Sequence, residues 1–269
     1  MNNRYIGALI LAPLIIFLFL GGEYLKYSVM VLSLLGMYEL YKVSRKKHYK
    51  PISLIGYILC VVYYLNMGND FLSSFDIYTL IATIFFLLCI PVLYTNYNFV
   101  DVALTIFAFL YVAVFFSFIV FIYNKTYGQY LVWIIFICSW GCDTSAYYSG
   151  RFLGKGGKHK LCPKVSPNKT IEGSIGGLLG SIVGCTIYGY VISKFGVPIQ
   201  LYHYSIIGVL CGVFGQFGDL IASSIKRFVG AKDYSSLIPG HGGILDRFDS
   251  ILFVSVITFY YITFILHLY

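Results

Sequence analysis

The sequence predicts an all-α, polytopic integral membrane protein of about nine transmembrane helices with a cytoplasmic N-terminus. Three observations carry this expectation. The 269 residues are 59% hydrophobic and only 11% charged, whereas a soluble domain is about a quarter charged, which excludes a water-soluble globule. Apolar stretches recur along the whole chain near the roughly 20 residues that a hydrocarbon-spanning helix needs. The basic residues gather in alternate connecting segments, the asymmetry expected when Lys and Arg stay on the inner side.

Taken in order, the expected spans are 6–20, 27–41, 53–67, 76–94, 100–123, 129–149, 172–193, 203–222 and 250–268. Arg4 precedes the first as it would in a signal peptide. The following GGEYLK (21–26) is a poor cleavage site, however, and apolar segments keep coming, so a retained span is expected. With the N-terminus inside, 16 of the 19 basic residues fall on the cytoplasmic side: Arg4; Lys42, Arg45, Lys46, Lys47 and Lys50; Arg151, Lys155, Lys158, Lys160, Lys164 and Lys169; Lys226, Arg227, Lys232 and Arg247. Only Lys26, Lys125 and Lys194 are left outside. The net charge of +8 lies between apolar segments, so it reads as attraction to anionic lipid and phosphate, with no nucleic-acid partner. The seven cysteines are odd in number and lie mostly inside apolar stretches, which reads as reduced thiols with no disulfide framework.

Two regions differ in kind. Residues 1–128 are greasy and read as N-terminal scaffold helices, with Glu39 and Asp101 as incidental polar groups near span ends. Residues 129–269 are glycine-rich, carry acids at or inside span ends, and read as the catalytic region. Within GSIGGLLGSIVG (173–184), Gly173, Gly177 and Gly184 stand among other small residues on closely spaced turns, and small-xxx-small spacing lets helix backbones approach.

Three segments concentrate the unusual polarity. In 139–174, Asp143 follows a long apolar run and needs a partner or water, because a lone carboxylate at membrane depth costs several kcal/mol. A loop follows with Arg151, Lys155, Lys158, Lys160, Lys164 and Lys169 among Gly154, Gly156 and Gly157, an arrangement suited to several phosphates. In 212–233, Asp219, Ser223 and Lys226 fall on one helical face that has to point at protein or an aqueous cavity. In 235–250, a Gly-His-Gly-Gly turn around His241 precedes Asp246, Arg247 and Asp249. Asp246 and Asp249, three apart, suit a divalent cation, with Arg247 beside them for phosphate; hard oxygen donors without clustered Cys or His favour magnesium over zinc. Together these are the groups needed to handle a phosphorylated substrate with a metal.

The run SxxKRxxxxKDxxxxxPGHGGxxDRxDS, Ser223 to Ser250, resembles the signature of phosphatidate cytidylyltransferase, the CDP-diacylglycerol synthase family. Asp143, Ala146, Tyr147, Gly150, Arg151, Gly154 and Lys155, followed by SPNKTIEG from Ser166 to Gly173, also resemble that family, with Asn168 where a lysine is common. The resemblance implies a polytopic membrane enzyme that converts CTP and phosphatidic acid to CDP-diacylglycerol and pyrophosphate with Mg²⁺, in the cytoplasmic or inner membrane with its site facing the cytoplasm. It also points to a homodimer. By the same resemblance Asp219 and Asp246 bind metal, with Asp249 and Asp143 near the site. Lys226, Arg227, Lys232 and Arg247 neutralise phosphate, and Ser223 and His241 position it. Two alternatives stay open: a related CTP-dependent lipid enzyme such as a polyprenol kinase, and an anion transporter. The second should show polar groups deep in both halves.

Overall fold

The structure, a computed structural model, describes residues 15–68, 73–154, 159–238, 240 and 242–268. It is mostly helical. After a helical stretch at 15–20 come α1 (Gly22–Ser44), α2 (Ser53–Asn66), α3 (Ser73–Leu93), α4 (Phe99–Tyr123) and α5 (Gly128–Leu153). A β-hairpin, β1 (Lys160–Cys162) and β2 (Ser166–Thr170), leads into α6 (Ile171–Ser193), α7 (Leu201–Phe228) and α8 (Leu245–Tyr260), which runs on as a π-helical turn to Ile265. Most of the first expected span, residues 6–14, lies outside the described residues.

Among the described residues, four helices are long and apolar enough to cross a membrane: Phe99–Tyr123, Ile171–Ser193, Leu201–Phe228 and Leu245–Ile265. Large apolar side chains such as Phe85, Phe86, Val92 and Leu93 are exposed, as lipid-facing residues are in a membrane protein. All seven cysteines are free thiols.

The chain divides into two compact units. One comprises residues 1–117 with 229–245, the other 118–228 with 246–269. In the second, Phe118 and Phe121 pack in tilted contact on Phe259 of α8; in the first, the 229–245 segment is anchored on Glu39.

The first unit is less bland than its composition. Tyr64, fully buried, bonds to Ser33 and donates to the Ala113 carbonyl in the π-helical turn of α4. Asp101 is 1% exposed. It forms a capping box with Asn98 at the start of α4, and its other oxygen accepts from the Lys50 amide at 2.6 Å. It is therefore a fully partnered structural acid.

In the second unit, α5, α6 and α7 touch backbone to backbone. A Cβ on Gly177 would stand 3.0 Å from the Cys142 carbonyl, and one on Gly208 would stand 2.7 Å from Ile182 Cα. The small-xxx-small reading of 173–184 describes the α5–α6 contact, and Ser181 adds a bond to the Gly208 carbonyl on α7 at 2.9 Å. The hairpin is an addition to an all-helical expectation. Its strands pair Lys160 with Thr170 and Cys162 with Ser166, which orders half of a segment that reads as a glycine-loosened loop.

Candidate active site

The site in the second unit is built where the hairpin becomes a helix. Thr170 is the N-cap of α6, its hydroxyl accepting from the Gly173 amide at 3.1 Å, which satisfies one of the unpaired amides at a helix start. Successive residues of a strand point to opposite sides. Thr170 turns to the helix, and Lys169 reaches Asp219 on α7, Nζ to Oδ2 at 2.5 Å. The other oxygen of Asp219 accepts from Ser223 at 3.3 Å, the i,i+4 contact that their spacing predicts. Ser174 and Gln216 bond to each other twice, at 2.5 and 3.1 Å, tying α6 to α7 beside them.

These residues border a cleft of about 650 Å³. Its lining combines the acids Asp143 and Asp219, the cations Arg151, Lys160 and Lys169, and the neutral polar groups Asn168, Thr170, Ser174 and Gln216. Arg151 is steadied by a bond from its guanidinium to the Tyr147 hydroxyl at 3.1 Å. Asp143 is exposed, and its charged neighbours are Asp219, Lys169 and Arg247.

The first turns of α8 bring further charge. Lys226 Nζ lies 2.6 Å from Asp246 Oδ1, with the two side chains only 11% and 4% exposed. Asp249 accepts from the Ser250 amide at 2.8 Å and has Asp219, Lys226 and Asp143 as charged neighbours. Close approach of α7 permits this, since a Cβ on Gly218 would stand 2.7 Å from the Asp249 carbonyl.

The structure thus brings together Asp143, Arg151, Lys169, Asp219, Ser223, Lys226, Asp246, Arg247 and Asp249 in one unit. Arg227 is turned partly to a structural task, its Nε donating to the Val165 carbonyl in the hairpin turn at 3.2 Å. Lys232 is exposed in the 229–245 segment of the other unit. Lys155 and His241 lie outside the described residues. Ile238 and Gly242 exchange reciprocal amide bonds, and Gly240 and Gly242 stand at φ 75° and 83°. Residue-by-residue reading passed over Ser174, Gln216 and the contact of His159 with Glu172 at 2.5 Å. The first two look like ordinary helix residues, and only the threonine-to-glycine helix start at 170–173 signals local order.

The donor chemistry suits a hard divalent ion: the acids are carboxylates, and three of them, Asp143, Asp219 and Asp249, act on one another. Among the described residues no three His, Cys, Asp or Glu side chains surround a common point. Two of the carboxylates are paired with lysine ammonium groups, Lys169 on Asp219 and Lys226 on Asp246.

The chain is similar to proteins of known name. The chain is 35% identical over 251 residues to a phosphatidate cytidylyltransferase of Staphylococcus haemolyticus, covering 93% of this chain and 92% of that protein. It is 34% identical over 262 residues to the Bacillus subtilis protein of the same name, covering 94% of each. It is 35% identical over 238 residues to that of Staphylococcus aureus strain COL, covering 87% and 88%. The model of the cytidylyltransferase family matches residues 2–265, and the chain belongs to that family.

Proposed function

We propose that this chain transfers the cytidylyl group of CTP to phosphatidic acid, giving CDP-diacylglycerol and pyrophosphate, a step of phospholipid synthesis. The observation that carries this reading is the cleft in which Arg151, Lys160 and Lys169 stand beside Asp143 and Asp219. Several cations in one cleft suit a chain of phosphates, and the acids among them suit a phosphate-bound cation. The relatives' shared name supplies the substrates.

In the reaction an oxygen of the lipid phosphate bonds to the α-phosphorus of CTP as the bond to the pyrophosphate oxygen breaks. A phosphate monoester is already anionic near neutrality, with a second pKa of about 6, so no protein group has to remove a proton. The work of the chain is to hold two anions together and to neutralise charge where it grows. Arg151, Lys160 and Lys169 bind phosphate oxygens, Arg247 presents a planar fork to a second phosphate, and Ser223 orients Asp219. The residues that would hold magnesium are Asp219, Asp246 and Asp249, with Asp143 beside them; when bound, the ion would supply charge neutralisation of the departing pyrophosphate. We place the site on the cytoplasmic side of a nine-span chain with its N-terminus inside, a reading supported by the distribution of basic residues, and take the protein to be a homodimer on the family resemblance alone.

The test is an assay of the purified protein in detergent with CTP, phosphatidic acid and Mg²⁺, with a polyprenol in a parallel arm. CDP-diacylglycerol formed only with phosphatidic acid and lost on chelation is the expected result. A phosphorylated polyprenol as the sole product, or CTP turnover without a CDP-lipid, would overturn the assignment.

A further inference from the structure

Among the described residues of the first unit, the most deeply buried acid was assigned no role above. Glu39, on α1, is 0% exposed, and both its oxygens are taken up by one distant stretch of chain. Oε1 accepts from the Ser235 hydroxyl at 2.6 Å and from the Ile244 amide at 2.9 Å, and Oε2 accepts from the Leu245 amide at 2.9 Å. These two amides open α8, where the first N–H groups have no partner within the helix and an anion is favoured by the helix dipole. No Ser, Thr, Asp or Asn stands at 242–244 to cap α8 locally. Glu39 takes that place from another helix. Gly243 leaves it room: a Cβ there would stand 2.6 to 2.7 Å from the two carboxylate oxygens. Because Ser235 also accepts from the Leu237 amide at 3.1 Å, the carboxylate ties together both ends of 235–245, including the glycine turn. The next two residues of the chain are Asp246 and Arg247.

We propose that Glu39 is a positioning residue for the cytidylyl transfer: it sets the start of α8 and so aims Asp246 and Arg247. This rests on the function proposed above. It applies to a residue whose partners lie about two hundred positions away in sequence, with separations of 196 to 206.

The variant is Glu39→Gln in the full chain in detergent, which keeps size but sets an NH₂ group against amide donors. Gly243→Ala serves as an independent probe that leaves Glu39 intact and crowds it. Both should lower kcat about tenfold or more, with KM for CTP and phosphatidic acid changed less than about threefold. Amide hydrogen exchange at Ile244 and Leu245 should accelerate in both variants. Because Glu39 acts through the segment that carries Arg247, Glu39→Gln with Arg247→Lys should lose less than the product of the two single losses. Wild-type kcat per folded molecule, multiplicative losses, or unchanged exchange at the two amides would overturn the proposal. An inactive wild-type protein would instead overturn the assigned reaction, and the exchange rates would still decide whether Glu39 holds the start of α8.

Discussion

Replacing Lys226 by Met tests the buried Lys226–Asp246 pair. Lys226 and Asp246 meet at 2.6 Å with side chains 11% and 4% exposed, so solvent screens the pair little. Removing one partner leaves a buried carboxylate uncompensated, which costs about 3–5 kcal/mol. Asp246 keeps further contacts, so the lower end of that range is expected. At roughly 2–4 °C per kcal/mol for a chain of this order of size, the midpoint of thermal unfolding should fall by about 6–12 °C. Replacing both partners by apolar residues of similar volume removes the uncompensated charge, and such exchanges are close to neutral. Lys226→Met with Asp246→Leu should therefore recover most of the lost stability yet remain inactive. The measurements are thermal unfolding in detergent micelles and CTP-dependent turnover on the same preparations. A single variant that unfolds within about 1 °C of wild type would refute the account of the pair as buried and mutually dependent. A double variant that regains activity would refute the role given to Asp246.

Arg247→Lys keeps charge but loses the planar fork, so kcat/KM should fall by about 1.5–3 kcal/mol in steady-state kinetics with each substrate varied in turn. Asp101→Asn sets an amide NH₂ against one of the backbone amides of Asn98 and Lys50; it should cost about 1–3 kcal/mol of stability with turnover per folded molecule unchanged. Gly208→Ala drives a methyl group into the backbone of Ile182 and Ser181, and a loss of about 1–3 kcal/mol is expected on chemical or thermal unfolding. Thiol labelling of single cysteines placed at Lys46 and Lys160 should occur from the cytoplasmic side, and labelling only from the outside would reverse the proposed topology.

Hydropathy located the helices well where the chain stays apolar, and stopped short where they become polar. The stretch expected at 100–123 is a helix over Phe99–Tyr123, and that at 172–193 is one over Ile171–Ser193. In contrast α7 continues past 222 to Phe228, α5 past 149 to Leu153, and α8 begins at Leu245 rather than 250. Charge ends an apolar run without ending a helix, and these polar extensions carry Arg151, Ser223, Lys226, Asp246 and Asp249. The hairpin left no periodic trace, because strands of three and five residues, one containing Pro167, are too short to show alternation. The acids of the candidate site stand out in the sequence by their type and spacing. Their ion pairs do not, since Lys169–Asp219 and Lys226–Asp246 join residues on separate elements. Glu39 and Asp101 were passed over for the same reason, as their significance lies in backbone amides far along the chain.

The glycine contacts between α5, α6 and α7 govern how the cleft can change. Helices that slide past one another ordinarily do so by re-sorting the side chains between them. Where Gly177 rests on the Cys142 carbonyl and Gly208 on the backbone of Ile182, that yielding layer is missing, and dense interiors transmit strain instead of absorbing it. These three helices are close-packed at their glycine contacts. On the proposed function, room for a bulkier headgroup or a different base has to be found in the hairpin and in the rotamers of Arg151, Lys160 and Lys169. An altered substrate range would be sought by substituting the cleft's lining, not by respacing the helices that carry it.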